Sequence, residues 1–264
     1  MKKLKLMLCV GFVAMVAVPA VAQVKVVAHR GYWKVGGATG PRDALVSSQN
    51  SLRSLVKADS IHCWGSEFDV WTSADGDVFV NHDARINGIE IESSRTTLVE
   101  TQRLPNGELI PTLDSYLRKF TKHPNLEVVL EVKEHKSMKL EDRCVTEAVR
   151  LVKKYGLENR ITYITFSLNA MNTLLKALPQ GSEVYYLDGE LSPATLKRVG
   201  AAGLDYELGV MKSHPEWFRQ AHELGLKVNV WTVNEEEDMK WCIDQGADFI
   251  TTNEPELLQR LIRD

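Results

Sequence analysis

The chain has 264 residues, 44% hydrophobic, 25% charged and 8% aromatic, with a formal net charge of −3. That is ordinary globular composition, long enough for one sizeable core and for one or two domains. A mildly acidic balance argues against nucleic acid or an anionic membrane surface as the main partner.

The first element in chain order is a leader. Lys2, Lys3 and Lys5 precede an apolar run over 6–18, followed by "VPAVAQ" with small residues at Ala20 and Ala22. This pattern predicts a secretory signal over 1–22, cut after Ala22, and a periplasmic or secreted product whose compartment depends on the host envelope. The alternative, an uncleaved anchor, asks a short apolar run to span a bilayer. Cys9 is a poor lipidation site because bulky Leu8 precedes it. Cleavage would remove three lysines and no acid, taking the formal charge from −3 to −6. It would leave residues 23–264, expected to form a single domain with no stable membrane insertion. Cys63, Cys144 and Cys242 remain. The number is odd and no Cys-x-x-Cys is present, so buried thiols are expected rather than a zinc site, with a single disulfide as the alternative.

Beyond the leader, apolar β-type runs alternate with helical patterns. The predicted strands are 24–28, 66–71, 126–132, 161–166, 183–187, 204–208, 227–233 and 248–252. Helical stretches lie between most of them: "SLRSLVKA" after Asn50, then stretches closing on Gly156, Gly200 and Gly225, where a C-cap favours glycine. Asn234 is the expected N-cap of "NEEEDMKWCIDQG". Eight β runs alternating with helices predict a (β/α)8 TIM barrel. "VFVNHD" (78–83) is an extra short strand, in an excursion after strand two. "KVGGATGPRDALVSSQ" (34–49) is the loosest stretch. A doubly wound open sheet is the alternative, without a Gly-x-Gly-x-x-Gly to support it.

Barrel active sites sit at the C-terminal ends of the strands. There the sequence places His29-Arg30-Gly31 after strand one, Glu67 and Asp69 on strand two, His82-Asp83 in the excursion, and Glu131 and Lys133 on strand three. Residues two apart on a strand share a face. A lone strand-end histidine is more often a hydrogen-bonded structural residue, and a Glu-x-Asp pair on an edge strand is usually solvated. Here the strands read as central, where unpartnered charge is costly. Glu67, Asp69 and Glu131 are hard oxygen ligands without a thiolate, which suits Ca²⁺ or Mg²⁺ better than zinc. Arg30 and Lys133 complement an anion such as phosphate. His29 and His82 can divide base and acid work. The residues suggest metal-assisted cleavage of a phosphate ester.

These residues also resemble a known family, the glycerophosphodiester phosphodiesterases, over nearly the whole chain after the leader. The motifs are "HRG" 29–31, "NS" 50–51, "EFD" 67–69, "HD" 82–83, "PTLDSYL" 111–117, "EVK" 131–133 and "VNVWTVN" 228–234. The resemblance implies His29 and His82 as the acid/base pair and Glu67, Asp69 and Glu131 as metal ligands. It implies Arg30 and Lys133 as phosphate contacts and Trp231 as an aromatic lining the substrate pocket. The implied reaction releases glycerol 3-phosphate and an alcohol from a small-molecule glycerophosphodiester. No protein partner is indicated. One departure is Gln49, where the family usually carries Glu; Ser51, in place of Thr, can still cap a helix. The stretch 82–111 is short, and "NGIEIESSRTTLVE" within it reads as a small cap. Two other readings stand beside this one: a phospholipase C- or D-like lipid phosphodiesterase, and a catalytically weak module binding phosphorylated polyols. Tyr32 and Trp33 either line the alcohol pocket or pack beneath the loop that follows.

Overall fold

The computed structural model describes residues 23–34 and 47–263. The expected signal peptide and cleavage point over 1–22, Cys9 and most of the loose loop lie outside the described residues. The chain opens with β1 (Lys25–Ala28), α1 (Leu52–Ser60) and β2 (Gly65–Thr72). The excursion follows: β3 (Val78–Val80), β4 (Arg85–Ile86), β5 (Ile89–Glu90) and α2 (Thr96–Val99). Then come α3 (Leu113–Phe120), β6 (Glu127–Val132), α4 (Met138–Lys154), β7 (Ile161–Thr165) and α5 (Leu168–Ala177). The remaining elements are β8 (Val184–Tyr186), α6 (Pro193–Val199), β9 (Gly203–Glu207), α7 (Leu208–Ser213), α8 (Glu216–Glu223), β10 (Lys227–Trp231), α9 (Glu236–Gln245), β11 (Phe249–Thr252) and α10 (Pro255–Arg263).

Eight of the strands pair in parallel in the order β1-β11-β10-β9-β8-β7-β6-β2, and β1 pairs with β2 to close the barrel. The open-sheet alternative is thereby excluded. Each predicted strand is present, trimmed or extended by a residue or two. Two apolar layers hold the barrel together. Phe68 and Val70 face outward into the large cluster shared with the helices, including Leu55, Leu113, Tyr116 and Phe120. On the opposite strand faces, Val27, Val129, Ile164, Tyr185, Leu187 and Phe249 fill the interior.

The helix starts follow the local chemistry. Ser51, Thr112, Ser137, Ser167 and Ser192 each cap a helix by accepting a backbone N–H three residues on. Gly200 and Gly246 close α6 and α9 in the left-handed conformation. Asn234 is not the cap of α9; Glu235 holds that position. The Asn234 side-chain oxygen instead accepts the Asn253 backbone N–H at 2.9 Å, tying the loop after β10 to the end of β11.

In the excursion, β3 lies antiparallel on β2, with Val70 opposite Val80. Residues beyond it build a small apolar core of Trp71, Phe79, Ile86, Ile91, Val99, Leu104 and Ile110. The "NGIEIESSRTTLVE" stretch contributes to this cap-like unit at the barrel rim. Cys63, Cys144 and Cys242 are buried and unbridged, as expected of core thiols. No helix among the described residues is long and apolar enough to cross a membrane.

Candidate active site

The parallel register sets the acidic cluster. Asp69 on β2 pairs with Glu131 on β6, and Glu67 sits one inward position deeper on β2. One oxygen from each of Glu67, Asp69 and Glu131 lies within 4.8 Å of the others, and all three residues are buried. Burial pushes Glu67 well above the usual carboxylate range, and Asp69 and Glu131 add to it. Glu131 is pushed up to about 8 by burial and by Asp69. Burial also raises Asp69, but Lys133, His82 and Arg30 outweigh it and hold this carboxyl below its usual range. Glu67 Oε1 is buried with no hydrogen-bond partner among the described residues. Three hard oxygens gathered without enough protein cations, one of them bare, fit a divalent cation of the Ca²⁺ or Mg²⁺ type.

Two cations flank the cluster. Lys133 Nζ lies 2.7 Å from Glu131 Oε1 and 3.3 Å from Asp69 Oδ1. Burial would lower its pKa, but the carboxylates win and raise it, so the ammonium stays charged. The Arg30 backbone N–H donates to Glu67 Oε2 at 2.7 Å, and its guanidinium Nε sits 3.9 Å from Asp69. Arg30 adopts φ 58°, a left-handed conformation that costs energy for a residue with a Cβ and that clusters at functional sites. Gly31 follows at φ +74°, and a Cβ there would meet Ser54 Oγ at 2.4 Å. The backbone therefore turns sharply after His29 and keeps Arg30 against the acids. Gln49 Oε1 accepts from Arg30 Nη1 at 2.6 Å. A neutral amide here orients the guanidinium without cancelling its charge, which is the physical consequence of the Gln49 departure.

The histidines lie on opposite supports. His29 follows β1, and its Nδ1 is 2.9 Å from Asn253 Oδ1 at the end of β11. An amide oxygen only accepts, so Nδ1 carries the proton and Nε2 keeps its lone pair. Burial, with Arg30 second, pushes His29 down to about 4, so it is neutral at pH 7. His82 follows β3. Trp71 Nε1 donates to its carbonyl at 3.1 Å, and the Asn81 N–H donates to the Asp69 carbonyl at 3.0 Å. His82 Nδ1 is 2.8 Å from Asp83 Oδ1. Burial lowers its pKa, with Lys133 and Arg30 adding and Asp69 and Asp83 opposing.

His29, Arg30, Glu67, His82, Glu131, Lys133 and Trp231 line one cavity of about 250 Å³, and Asp69 stands directly behind them. Trp231 packs edge-on to Phe166, with ring centroids 5.5 Å apart. All eight residues expected from the sequence thus converge. The Tyr32–Trp33 question divides. Tyr32 is a core residue whose hydroxyl donates to Glu256 Oε2 at 2.6 Å. Trp33 lines a neighbouring cleft together with His82.

Three further residues stand at the site whose roles are not readable from the sequence. Asn50, at φ 59°, donates to Asp69 Oδ2 at 2.8 Å and accepts the Asp69 N–H at 3.3 Å. Asn253 fixes the His29 tautomer. Asp205, on β9, lines the cavity floor. A charge inside the apolar run "LDYEL" was the signal for the last of these.

A closed parallel barrel that sets two histidines, an arginine and a lysine around buried carboxylates has the machinery of a phosphoric diester hydrolase. The chain belongs to the glycerophosphoryl diester phosphodiesterase family, whose model matches residues 29–257. A glycerophosphodiester phosphodiesterase from Parabacteroides distasonis has a crystal structure 40% identical to it, with a TM-score of 0.86, covering 92% of this chain and 98% of that one. A curated glycerophosphodiester phosphodiesterase from Caldanaerobacter subterraneus subsp. tengcongensis is 27% identical over 260 residues, 90% of this chain and 97% of the relative. An Oleispira antarctica phosphodiesterase, solved with the product sn-glycerol-3-phosphate, shares the fold at a TM-score of 0.76 and 21% identity, covering 91% and 97% of the two chains.

Proposed function

We propose that this chain is a secreted, divalent-metal-dependent glycerophosphodiester phosphodiesterase that releases glycerol 3-phosphate and an alcohol. The observation that carries this reading is the convergence of Glu67, Asp69 and Glu131 with Arg30, Lys133 and two histidines on one cavity. Secretion rests on the leader pattern over 1–22. N-terminal sequencing of the exported protein should begin at Gln23; a product still starting at Met1 would refute cleavage.

Arg30 and Lys133 hold the phosphate and offset the negative charge that grows on its oxygens. His29, neutral with Nε2 free, takes the proton from the attacking hydroxyl; where that hydroxyl is water's, glycerol 3-phosphate forms directly, and where it is the substrate's own, water then opens the resulting cyclic phosphate with the two histidines' roles exchanged. His82 delivers a proton to the departing alcohol. Its resting form is neutral, so it acquires that proton once the anionic diester lies beside it. Glu67, Asp69 and Glu131 would hold Ca²⁺ or Mg²⁺, which supplies Lewis-acid stabilisation of the phosphoryl oxygens when bound. Phe166 and Trp231 exclude water from one wall of the cavity.

The test is a substrate panel of glycerophosphocholine, glycerophosphoethanolamine, glycerophosphoinositol and intact phospholipid. Glycerol 3-phosphate from the water-soluble diesters supports the reading. Cleavage of intact lipid alone would move the activity to the phospholipase class, and binding without turnover would sink it.

A further inference from the structure

Asp205 stands apart from the machinery described above. It is 1% exposed, yet lines the cavity. Among the described residues its Oδ1 has no hydrogen-bond partner, and neither does Asn229 Oδ1 on the adjacent strand, where Asn229 pairs with Asp205 in register. Burial pushes the carboxyl up to about 7, opposed by the Asn229 side chain alone. Its backbone is pinned, since Trp231 Nε1 donates to the Asp205 carbonyl oxygen at 2.9 Å. A buried acceptor left bare costs stability unless something donates to it. A group that brings an O–H or N–H to this end of the cavity is matched by that acceptor.

Position indicates which part of a diester that is. His82 lines both this cavity and the cleft of about 380 Å³ beside Asn81 and Arg85, and its side chain is 36% exposed. The departing alcohol, which differs between substrates, has an open path past His82. With the departing alcohol placed on that side, the retained arm has the rest of the cavity, whose lining includes Asp205, Ile164 and Leu187 of the barrel interior. Asp205 lies one inward position deeper on β9 than Glu207, which pairs with Trp231. The arm common to every glycerophosphodiester is a three-carbon chain with two hydroxyls.

We propose that Asp205 is a specificity residue that reads the glycerol arm, its Oδ1 accepting a hydrogen bond from a glycerol hydroxyl while Leu187 and Trp231 pack against the carbons. The proposal rests on the glycerophosphodiesterase reading above. The test compares glycerophosphoethanolamine with bis(p-nitrophenyl) phosphate, a diester without glycerol. Asp205→Leu should lower kcat/KM for the glycerol substrate about 10- to 100-fold, the loss expected for a hydrogen bond to an ionisable group. Activity on bis(p-nitrophenyl) phosphate should stay within about threefold, because its transition state never met the carboxyl. Asp205→Asn keeps one acceptor oxygen and should recover part of the loss. Binding of glycerol 3-phosphate should weaken with the same ranking, whereas binding of inorganic phosphate should not change. Thermal melts should show neither variant less stable, since a buried carboxyl with one bare oxygen is being removed. The proposal is overturned if folded Asp205→Leu or Asp205→Asn keeps wild-type kcat/KM for glycerophosphoethanolamine, or if both substrates lose activity by one common factor. A wild-type protein that cleaves bis(p-nitrophenyl) phosphate but no glycerophosphodiester overturns this proposal and the functional reading together. An active wild type with unaffected variants overturns this proposal alone.

Discussion

Metal binding at the acidic cluster should be steeply linked to pH. Glu131 sits at about 8 against an ordinary value of 4.5, and Glu67 is also raised well above that range. In the metal-free protein at pH 7 the Glu131 carboxyl is mostly protonated. A Ca²⁺ or Mg²⁺ ligand must be ionised, so binding expels that proton. Between pH 6 and 8 the apparent affinity should therefore rise about tenfold per unit from Glu131 alone, about 1.4 kcal/mol each. The same shift acts on stability. A raised carboxyl holds more protons folded than unfolded between 4.5 and 8. The metal-free protein should thus lose stability from this group as pH rises through that window, and bound metal should restore it. Asp69, held low, works in the opposite sense, but its contribution is already complete above its unfolded value, so the slope near neutrality belongs to the raised pair. Isothermal titration calorimetry at pH 6, 7 and 8, in buffers of different ionisation enthalpy, reads both slope and proton count. About one proton or more should leave per ion at pH 7. Flat affinity from pH 6 to 8, with heats independent of buffer, would mean that no proton leaves Glu131 on metal binding.

Three further outcomes follow from particular contacts. His29→Ala and His82→Ala should each lower kcat about 10²-fold or more with unchanged circular dichroism, and near-normal rates in either would remove that histidine from acid/base work. Gly31→Ala forces a Cβ to within 2.4 Å of Ser54 Oγ at φ +74°. It should destabilise the protein by about 2 kcal/mol or more in a denaturant titration, and an unchanged midpoint would contradict the tight turn. Cys63 and Cys242 are pushed up to about 12, mainly by burial, and Cys144 is raised by the same cause. These three thiols should resist a disulfide reagent until denaturant is added, and peptide mapping after native labelling checks it.

The barrel was legible because its strands are short apolar runs, and "VVLEV" or "VNVWTV" can hardly be anything but central strands flanked by helices. Seven of the eight candidate residues were legible because ionisable groups gathered at the ends of central strands, whereas Trp231 came only from the family resemblance. Strand ends shifted by a residue or two, since the last ladder bonds depend on the neighbouring strand. What stayed hidden were single polar residues whose partners are remote. Asn253 reaches His29 across 224 residues of sequence, and no periodicity announces it. Asn50 looked like part of a helix start, but the cap is Ser51, and the Asn50 amide is spent on Asp69. Asn234 had cap chemistry, yet a tertiary partner at Asn253 claimed its side chain, leaving the cap of α9 to Glu235. His82 was visible as a motif, but only the antiparallel pairing of β3 on β2 brings it over the acids.

The most direct test of the account is glycerol 3-phosphate release from a glycerophosphodiester by the purified chain, measured with Ca²⁺ or Mg²⁺, after EDTA, and after metal is returned. Release that EDTA abolishes and added metal restores is the expected result. Turnover indifferent to EDTA, or no glycerol 3-phosphate from any diester, would contradict it.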